Sequence, residues 1–425
     1  ALLVPLSLRS HHTVLVLDPT QHQRLLHVER PRLLESGLKL GCWTGFDPPP
    51  GDQIWLLTPQ QLLDVHRCGQ LRPDDHLVVP EAEWLQDRLR RAMTVKIDSC
   101  HWEELRAAFP SAGEGLLDLH ERLNRQLVTL GGGTNRDVAM PESALTLVRD
   151  LLQLLGSTPE PWCQLMSMDR QSWASWARVD SNTLQWSWQL QPLEPLITLE
   201  SLFHQHPWTL IHADGGCRRH GEEPSIDSAE LRIDLRDAPR GEPLPIYLPR
   251  RQPLPNTEIF AGHLLEQSRR LILGRTGLTT VLVDAPCMRQ RLCSELAAEF
   301  GSRVTLESTA PESNGVICCS WSWWLSHQHL LPQPEQLIAA MLPIASLEDP
   351  LTAARVESLK RQGRDWFRTL LLPEALAMLI PAIASLRRSG GRLAILDGRV
   401  RGRSWGEQVL RALEPWDPLQ RLRPD

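Results

Sequence analysis

The stretch LVVPEAEWL (77–85) decides how this chain folds. Leu77–Val79 is a short run of bulky apolar residues, the composition of a strand buried on both faces. Pro80 has no amide hydrogen and ends the ladder. The residues after it open a helix that runs on through PEAEWLQDRLRRAM (80–93). A buried strand turning at once into a helix is half of a parallel strand–helix repeat.

The same alternation extends in both directions. Upstream, TVLVL (13–17) reads as a strand ended by Asp18-Pro19-Thr20, with a helix over 21–37. IWLLT (54–58) is a second strand, and a helix starts at Pro59. Between 85 and 205 the pattern changes: LLDLHERLNRQLVTL (116–130) and ALTLVRDLLQLL (144–155) carry helical periodicity. Gly131-Gly132-Gly133 separates them; with no Lys-Ser/Thr after it, the triplet reads as a helix–helix turn. WTLIHA (208–213) returns to strand, and 214–256, rich in Gly, Pro, Arg and Asp, reads as a linker. Beyond it, IYLPR (246–250), TTVLVD (279–284), VTLE (304–307), GVICCS (315–320), QLIAAMLPI (336–344) and GRLAILDG (391–398) read as strands. Helices are expected at 256–273, 285–300, 350–388 (two) and 405–413. The fold class is therefore α/β: two parallel-sheet halves around a helical middle.

Bulk properties narrow the function classes. A chain of 425 residues with 42% hydrophobic and 23% charged residues is a globular protein of two or three domains. The net charge of −6 advertises no global attraction to nucleic acid, so any such surface is local. No run of 18 apolar residues suggests a membrane span. ALLVPLSL (1–8) lacks the basic flank and cleavage site of a signal peptide. The first residue is Ala rather than Met, so the chain is read as trimmed or as a fragment. Nine scattered Cys fit the reduced thiols of a cytoplasmic protein. Sixteen Trp against one Tyr read mainly as packing.

With these elements in place, the C-terminal half resembles the second RecA-like domain of DinG/XPD-type helicases, of the superfamily-two DEAD/DEAH type. VLVDAPCMRQRLCSEL (281–296) stands where that domain opens. MLPIASLEDPLTAARVESLK (341–360) looks like the family's LPF-x-x-P-x-DP-x-x-x-AR segment. RDWFRTLLLPEALAMLIPAIASLRRSGGRLAILDGRV (364–400) looks like its F-x-x-x-x-LP-x-A stretch, sixth motif and following strand. The N-terminal half matches more loosely, through VLVLDPTQHQRLL (14–26), IWLLTPQQLL (54–63) and WTLIHADGG (208–216). The likeness looks closest to divergent bacterial or cyanobacterial members. It implies a first RecA-like domain over 1–84 and 206–245, incomplete at its N-terminus, an arch-like helical insert over 85–205, and a second RecA-like domain over 246–425.

The resemblance also says which positions to inspect. The family's acidic box is Asp-Glu-Ala-His, in which the Asp holds Mg²⁺ and the Glu orients the attacking water. Here it is Pro80-Glu81-Ala82-Glu83; Glu81 matches the catalytic carboxylate, and Glu83 reads as solvated. No G-x-x-x-x-G-K-[ST] phosphate cradle occurs in the 425 residues. The fifth motif falls on CSWSWWLSHQ (319–328), where Ser320, Ser322, Trp323 and Trp324 fit while Leu325, Ser326 and Gln328 replace Glu, Gly and Asp. Those tryptophans either stack on bases or pack a strand–helix junction. The sixth motif, Q-x-x-GR-x-x-R, falls on 381–388 as Pro381, Ala384, Ser385 and Arg388; only the last Arg survives. Cradle, metal ligand and first arginine are lost together, which speaks against ATP hydrolysis.

Other candidates are weaker. Only Cys42 and Cys68 lie where the family binds an Fe–S cluster. His204, His206, His212, Cys217 and His220 match no metal template, so no metal is expected. Asp284 reads as a strand-end helix cap. Arg387, Arg388, Arg392, Arg399, Arg401 and Arg403 form the best basic patch, read either as a phosphate-binding surface or as a solvated face. The expectation is an ATPase-deficient helicase homologue that binds single-stranded DNA or RNA weakly, with ATP and Mg²⁺ implied only by the resemblance. The alternatives are an active DNA-repair helicase and hydrolase whose cradle lies outside this chain, or a scaffold for protein partners.

Overall fold

A computed structural model describes residues 5–6, 12–131, 136–169, 171–180, 183, 185–212, 233 and 242–419. The contacts divide them into two units. One holds the described residues up to His212 together with Ser346–Arg364; the other holds those of Ala229–Ala345 and Asp365–Asp425.

In the first unit, short apolar runs form β1 (Thr13–Val16), β2 (Cys42–Trp43), β3 (Ile54–Leu57) and β4 (His76–Pro80). The insert supplies β5 (Val95–Ile97), β6 (Arg136–Ala139), β7 (Trp173–Asp180) and β8 (Gln185–Pro192), and β9 (Trp208–Ile211) follows. The order β2-β3-β1-β4-β9 is parallel throughout. Along β1 the side chains alternate between two layers. Val14 and Val16 meet Leu62, Leu85 and Leu89 of flanking helices, while Leu15 and Leu17 meet Leu25 and Leu40. A strand covered on both faces needs no polar alternation, which is why apolar runs mark these strands.

The insert does carry the expected helices, Ser99–Ala108, Gly113–Gly131 and Glu142–Leu155. It also holds an antiparallel sheet, β5-β8-β7-β6, that the helical periodicity around it concealed. Trp186, Trp188 and Leu190 of β8 face Trp102, Trp162 and the helices, and Trp102 stacks on His120 at 4.8 Å. The helix Pro350–Arg361 belongs to this unit although its sequence neighbours do not. Its Leu351 and Ala354 pack on Ala174, Trp176 and Leu193 of the insert.

The second unit is built on a seven-stranded parallel sheet. Its strands are β10 (Leu244–Tyr247), β11 (Thr279–Leu282), β12 (Val304–Leu306), β13 (Val316–Cys319), β14 (Gln336–Ala339), β15 (Arg392–Ile395) and β16 (Trp416–Pro418). They run in the order β12-β13-β11-β14-β15-β10-β16. Phe367–Ser389 is long and apolar enough to cross a membrane by composition alone, but its apolar stretch is mostly buried against the sheet as a core helix. The expected α/β class with parallel sheets is present in both units.

Candidate functional site

β4 delivers the acidic box to the carboxyl end of the first sheet, where ligands of parallel α/β sheets bind. Pro80 ends the strand and offers no side-chain oxygen. Glu81 takes a left-handed backbone, φ 52° and ψ 51°, a conformation that costs a non-glycine residue roughly 1–2 kcal/mol. Its Oε2 accepts from Arg88 Nη2 at 2.7 Å and from Gln21 Nε2 at 2.6 Å. Arg88, with only 7% of its side chain exposed, also lies 2.6 Å from Asp18 Oδ2 through Nε and donates to the Pro80 carbonyl. Asp18 follows β1 and Gln21 sits on the next helix, so one guanidinium ties the ends of two adjacent strands together. Glu83 is not solvated as expected: 3% of its side chain is exposed, and its carboxylate lies 3.8 Å from His212 Nδ1.

These residues do not fit a magnesium ion. The ligand position is a proline, and an arginine already supplies the positive charge between Asp18 and Glu81. Neither Arg88 nor Gln21 was legible as a partner of Glu81; their separations of 7 and 60 residues carry no motif.

In the second unit, Ser320 caps the helix Trp321–His327, its Oγ accepting from Trp323 N at 3.3 Å. Ser322 is exposed. Trp323 is half-buried and stacks on His327 at 4.5 Å. Of the two readings of Trp324, its burial fits packing of the strand–helix junction: it is 0% exposed, and its Nε1 donates to the Ala382 carbonyl at 3.0 Å. Consecutive helical residues point about 100° apart, so Trp324 fills the core while Trp323 packs against its edge.

The arginine patch divides in the same way. Arg387 donates to the carbonyls of Leu413 and Pro415. Arg392, 5% exposed, donates to Gln336 and to the Leu271 carbonyl. Arg399 grips the fully buried Asp397, at 2.9 Å through Nε and 2.7 Å through Nη2, and Asp397 in turn accepts from Leu342 N. Arg387 and Arg399, candidates for contact with nucleic acid, are partly buried and held by these protein partners. Arg388, Arg401 and Arg403 are exposed, with Arg401 also donating to the Leu248 carbonyl. Ser385, at the first-arginine position, is buried with its Oγ 3.4 Å from Gln328 Oε1. Trp324 Nε1 and Gln328 Nε2 both donate to carbonyls at the end of the helix Leu372–Ala382.

Sequence reasoning missed a second strained carboxylate. Glu307 follows β12 with φ 48°, and it accepts from Ser320 N and Oγ at 3.1 and 3.0 Å. Arg289 lies 3.5 Å from it. Among the described residues, Glu81 and Glu307 are the non-glycine positions with positive φ. Each follows a strand end and each has an arginine partner. Asp284, read as a cap, accepts from Trp321 N at 3.0 Å. Cys217 and His220 lie outside the described residues. A cavity of about 590 Å³ opens between β7 of the insert and the start of the Pro350–Arg361 helix; none of the candidate residues lines it.

No family model matches the chain. It is similar to the ATP-dependent DNA helicase YoaA of Haemophilus influenzae, 29% identical over 121 residues that cover 28% of this chain and 19% of the relative. YoaA of Escherichia coli is 26% identical over 179 residues, covering 39% and 28%. The chain thus spans less than a third of the length of these curated relatives. Its fold is similar to that of S. tokodaii Xpd4, with TM-score 0.54 at 13% identity over 96% of this chain and 95% of that one. An apo XPD structure matches with TM-score 0.54 at 11% identity, over 96% and 91%. In sequence, parts of the chain are similar to DinG-type YoaA helicases, and in fold the chain is similar to XPD structures.

Proposed function

We propose that this chain is a helicase homologue that does not hydrolyse ATP and retains weak, sequence-tolerant binding to single-stranded nucleic acid. The observation that carries the first half is the Asp18–Arg88–Glu81 arrangement. A guanidinium stands between the acidic-box carboxylate and Asp18, beside a proline where a metal ligand is required. The buried Ser385 cannot supply the transition-state cation of an arginine finger. The binding half rests on the second unit, read as a RecA-like domain that keeps a nucleic-acid surface. Exposed Arg388, Arg401 and Arg403 attract phosphates, and Ser322 and the half-buried Trp323 of the same unit offer a hydroxyl and a ring edge.

The test is an anisotropy titration with labelled single-stranded DNA and RNA at low salt. Binding in the micromolar range that weakens steeply with added salt supports the reading. No binding at low salt would refute it, and capture of protein partners would then be the next measurement.

A further inference from the structure

Two distant stretches of chain bring arginines together at the carboxyl end of the second sheet. β10 pairs in parallel with β15, Ile246 opposite Leu393 and Tyr247 opposite Ala394. The segments that leave the two strands, 248–253 and 396–403, therefore start side by side. Three contacts hold them there. Arg401 Nη2 donates to the Leu248 carbonyl at 3.0 Å, across 153 residues of chain. Gln252 Nε2 donates to the Ile395 carbonyl at 2.9 Å. Gly398 has no room for a side chain: a Cβ there would lie 2.8 and 2.5 Å from the carbonyl oxygens of Gln252 and Pro253. Arg250 and Arg251 sit between these anchors. Chain reach keeps their Cα atoms within roughly 11 Å of Leu248, the residue that Arg401 binds.

The charge of these arginines is not used up inside the protein. Arg250, Arg251, Arg401 and Arg403 are all exposed. Elsewhere on the surface, Arg91, Arg122, Arg270 and Arg291 each pair with a carboxylate one helical turn away. The stretches 248–252 and 398–405 contain no carboxylate at all. Asp397, which precedes the second, is fully buried and held by Arg399. The hydrogen bond to Leu248 uses one of the five N–H donors of Arg401 and leaves the rest for a ligand. None of the four arginines lines the cavity described above. Cations spread over an open surface suit a chain of phosphates; a single small anion needs donors that converge on it. We infer that Arg250 and Arg251 join Arg401 and Arg403 in one surface along which the phosphate backbone of a nucleic-acid strand lies. The inference rests on the single-strand binding proposed above and extends its footprint to a segment that no motif marks.

The experiment is an anisotropy titration of the full chain with labelled single-stranded DNA, repeated over a salt series. Each phosphate contacted on a single strand contributes about 0.7 to the slope of log affinity against log salt. The double variant Arg250→Ala, Arg251→Ala should therefore lower that slope by roughly 1–1.5 and weaken binding severalfold at low salt. The double variant Arg250→Lys, Arg251→Lys keeps both charges and should hold the wild-type slope. The double variant Arg270→Ala, Arg291→Ala removes the same charge from two helices of the same unit and should leave the slope unchanged. A wild-type slope in the Arg250 and Arg251 alanine variant, while the wild-type chain binds, would overturn the inference and leave the proposed function standing. An equal fall in the Arg270 and Arg291 variant would overturn it too, because net charge alone would then account for the effect. Absence of binding by the wild-type chain would overturn both readings. The substituted side chains are exposed, and equal urea midpoints check that each variant is folded.

Discussion

Arg88 holds Glu81: its Nη2 lies 2.7 Å from Glu81 Oε2 while its Nε lies 2.6 Å from Asp18 Oδ2. The cation is nearly buried, whereas Glu81 is half exposed and Asp18 a third exposed. Water therefore screens part of each attraction. Arg88→Met should lower stability by about 1–3 kcal/mol, the scale of a charge-assisted hydrogen bond, in urea unfolding followed by Trp fluorescence. Glu81→Gly loses the ion pair but releases the left-handed strain, so its change should stay within about 1 kcal/mol. A large loss from Glu81→Gly with none from Arg88→Met would show the roles reversed.

Adjacent tryptophans should behave as opposites. Trp324→Ala removes a fully buried ring and its hydrogen bond to Ala382, and should cost roughly 3–5 kcal/mol of stability. Trp323→Ala, at a half-buried site, should cost well under half of that and lower single-strand affinity instead. Equal destabilisation by the two would argue that Trp323 is also a core residue.

That contrast marks how far the chain could be read before its structure was known. The two parallel sheets were legible because TVLV, IWLL and VICC are apolar runs flanked by helical patterns. The sheet of the insert was not, although Trp186, Trp188 and Leu190 alternate strictly along β8. Its other face carries Gln189 and Gln191, which are buried too, so the polar pattern imitates a loop in a helical context. Which of two neighbouring tryptophans faces the core, and which arginines of a run of six are internal, depends on helix phase and on distant carbonyls. Composition and spacing are blind to both. Arg88 looked like its neighbours Arg90 and Arg91; only the end of β1, folded beside β4, gives it Asp18. The helix Pro350–Arg361 was read in the second half by order along the chain, and packing on the insert sheet puts it with the first unit.

Acidity should loosen the first unit. Burial lowers the pKa of His120, stacked on Trp102, and the nearby positive charge of Arg106 lowers it further; Glu103 and Glu121 pull the other way. Burial lowers His22 and His66 in the same unit. The folded state therefore takes up these protons less readily than the unfolded chain. Their stabilising contribution is full above the unfolded value of about 6.5 and is lost as pH falls through the lower folded values. Melting temperature should drop by a few degrees between neutral and mildly acid pH. His120→Phe should flatten that slope; an unchanged slope would remove His120 from the account.

Salt should separate charge from stacking. Each exposed arginine that meets a phosphate releases counterions, so the triple change Arg388→Ala, Arg401→Ala and Arg403→Ala should reduce the slope of log affinity against log salt by about 2. Trp323→Ala should weaken binding with little change in slope. Arg399→Ala should act mainly on stability, because Arg399 neutralises the buried Asp397. A slope that falls with Arg399→Ala in a fully folded protein would restore that residue to the binding surface.

The central claim, that a proline and a buried guanidinium have replaced the machinery for ATP hydrolysis, is tested most directly by phosphate release from Mg²⁺-ATP with and without single-stranded DNA. The account predicts no turnover above the protein-free blank under either condition. DNA-stimulated turnover that disappears in Glu81→Gln would contradict it.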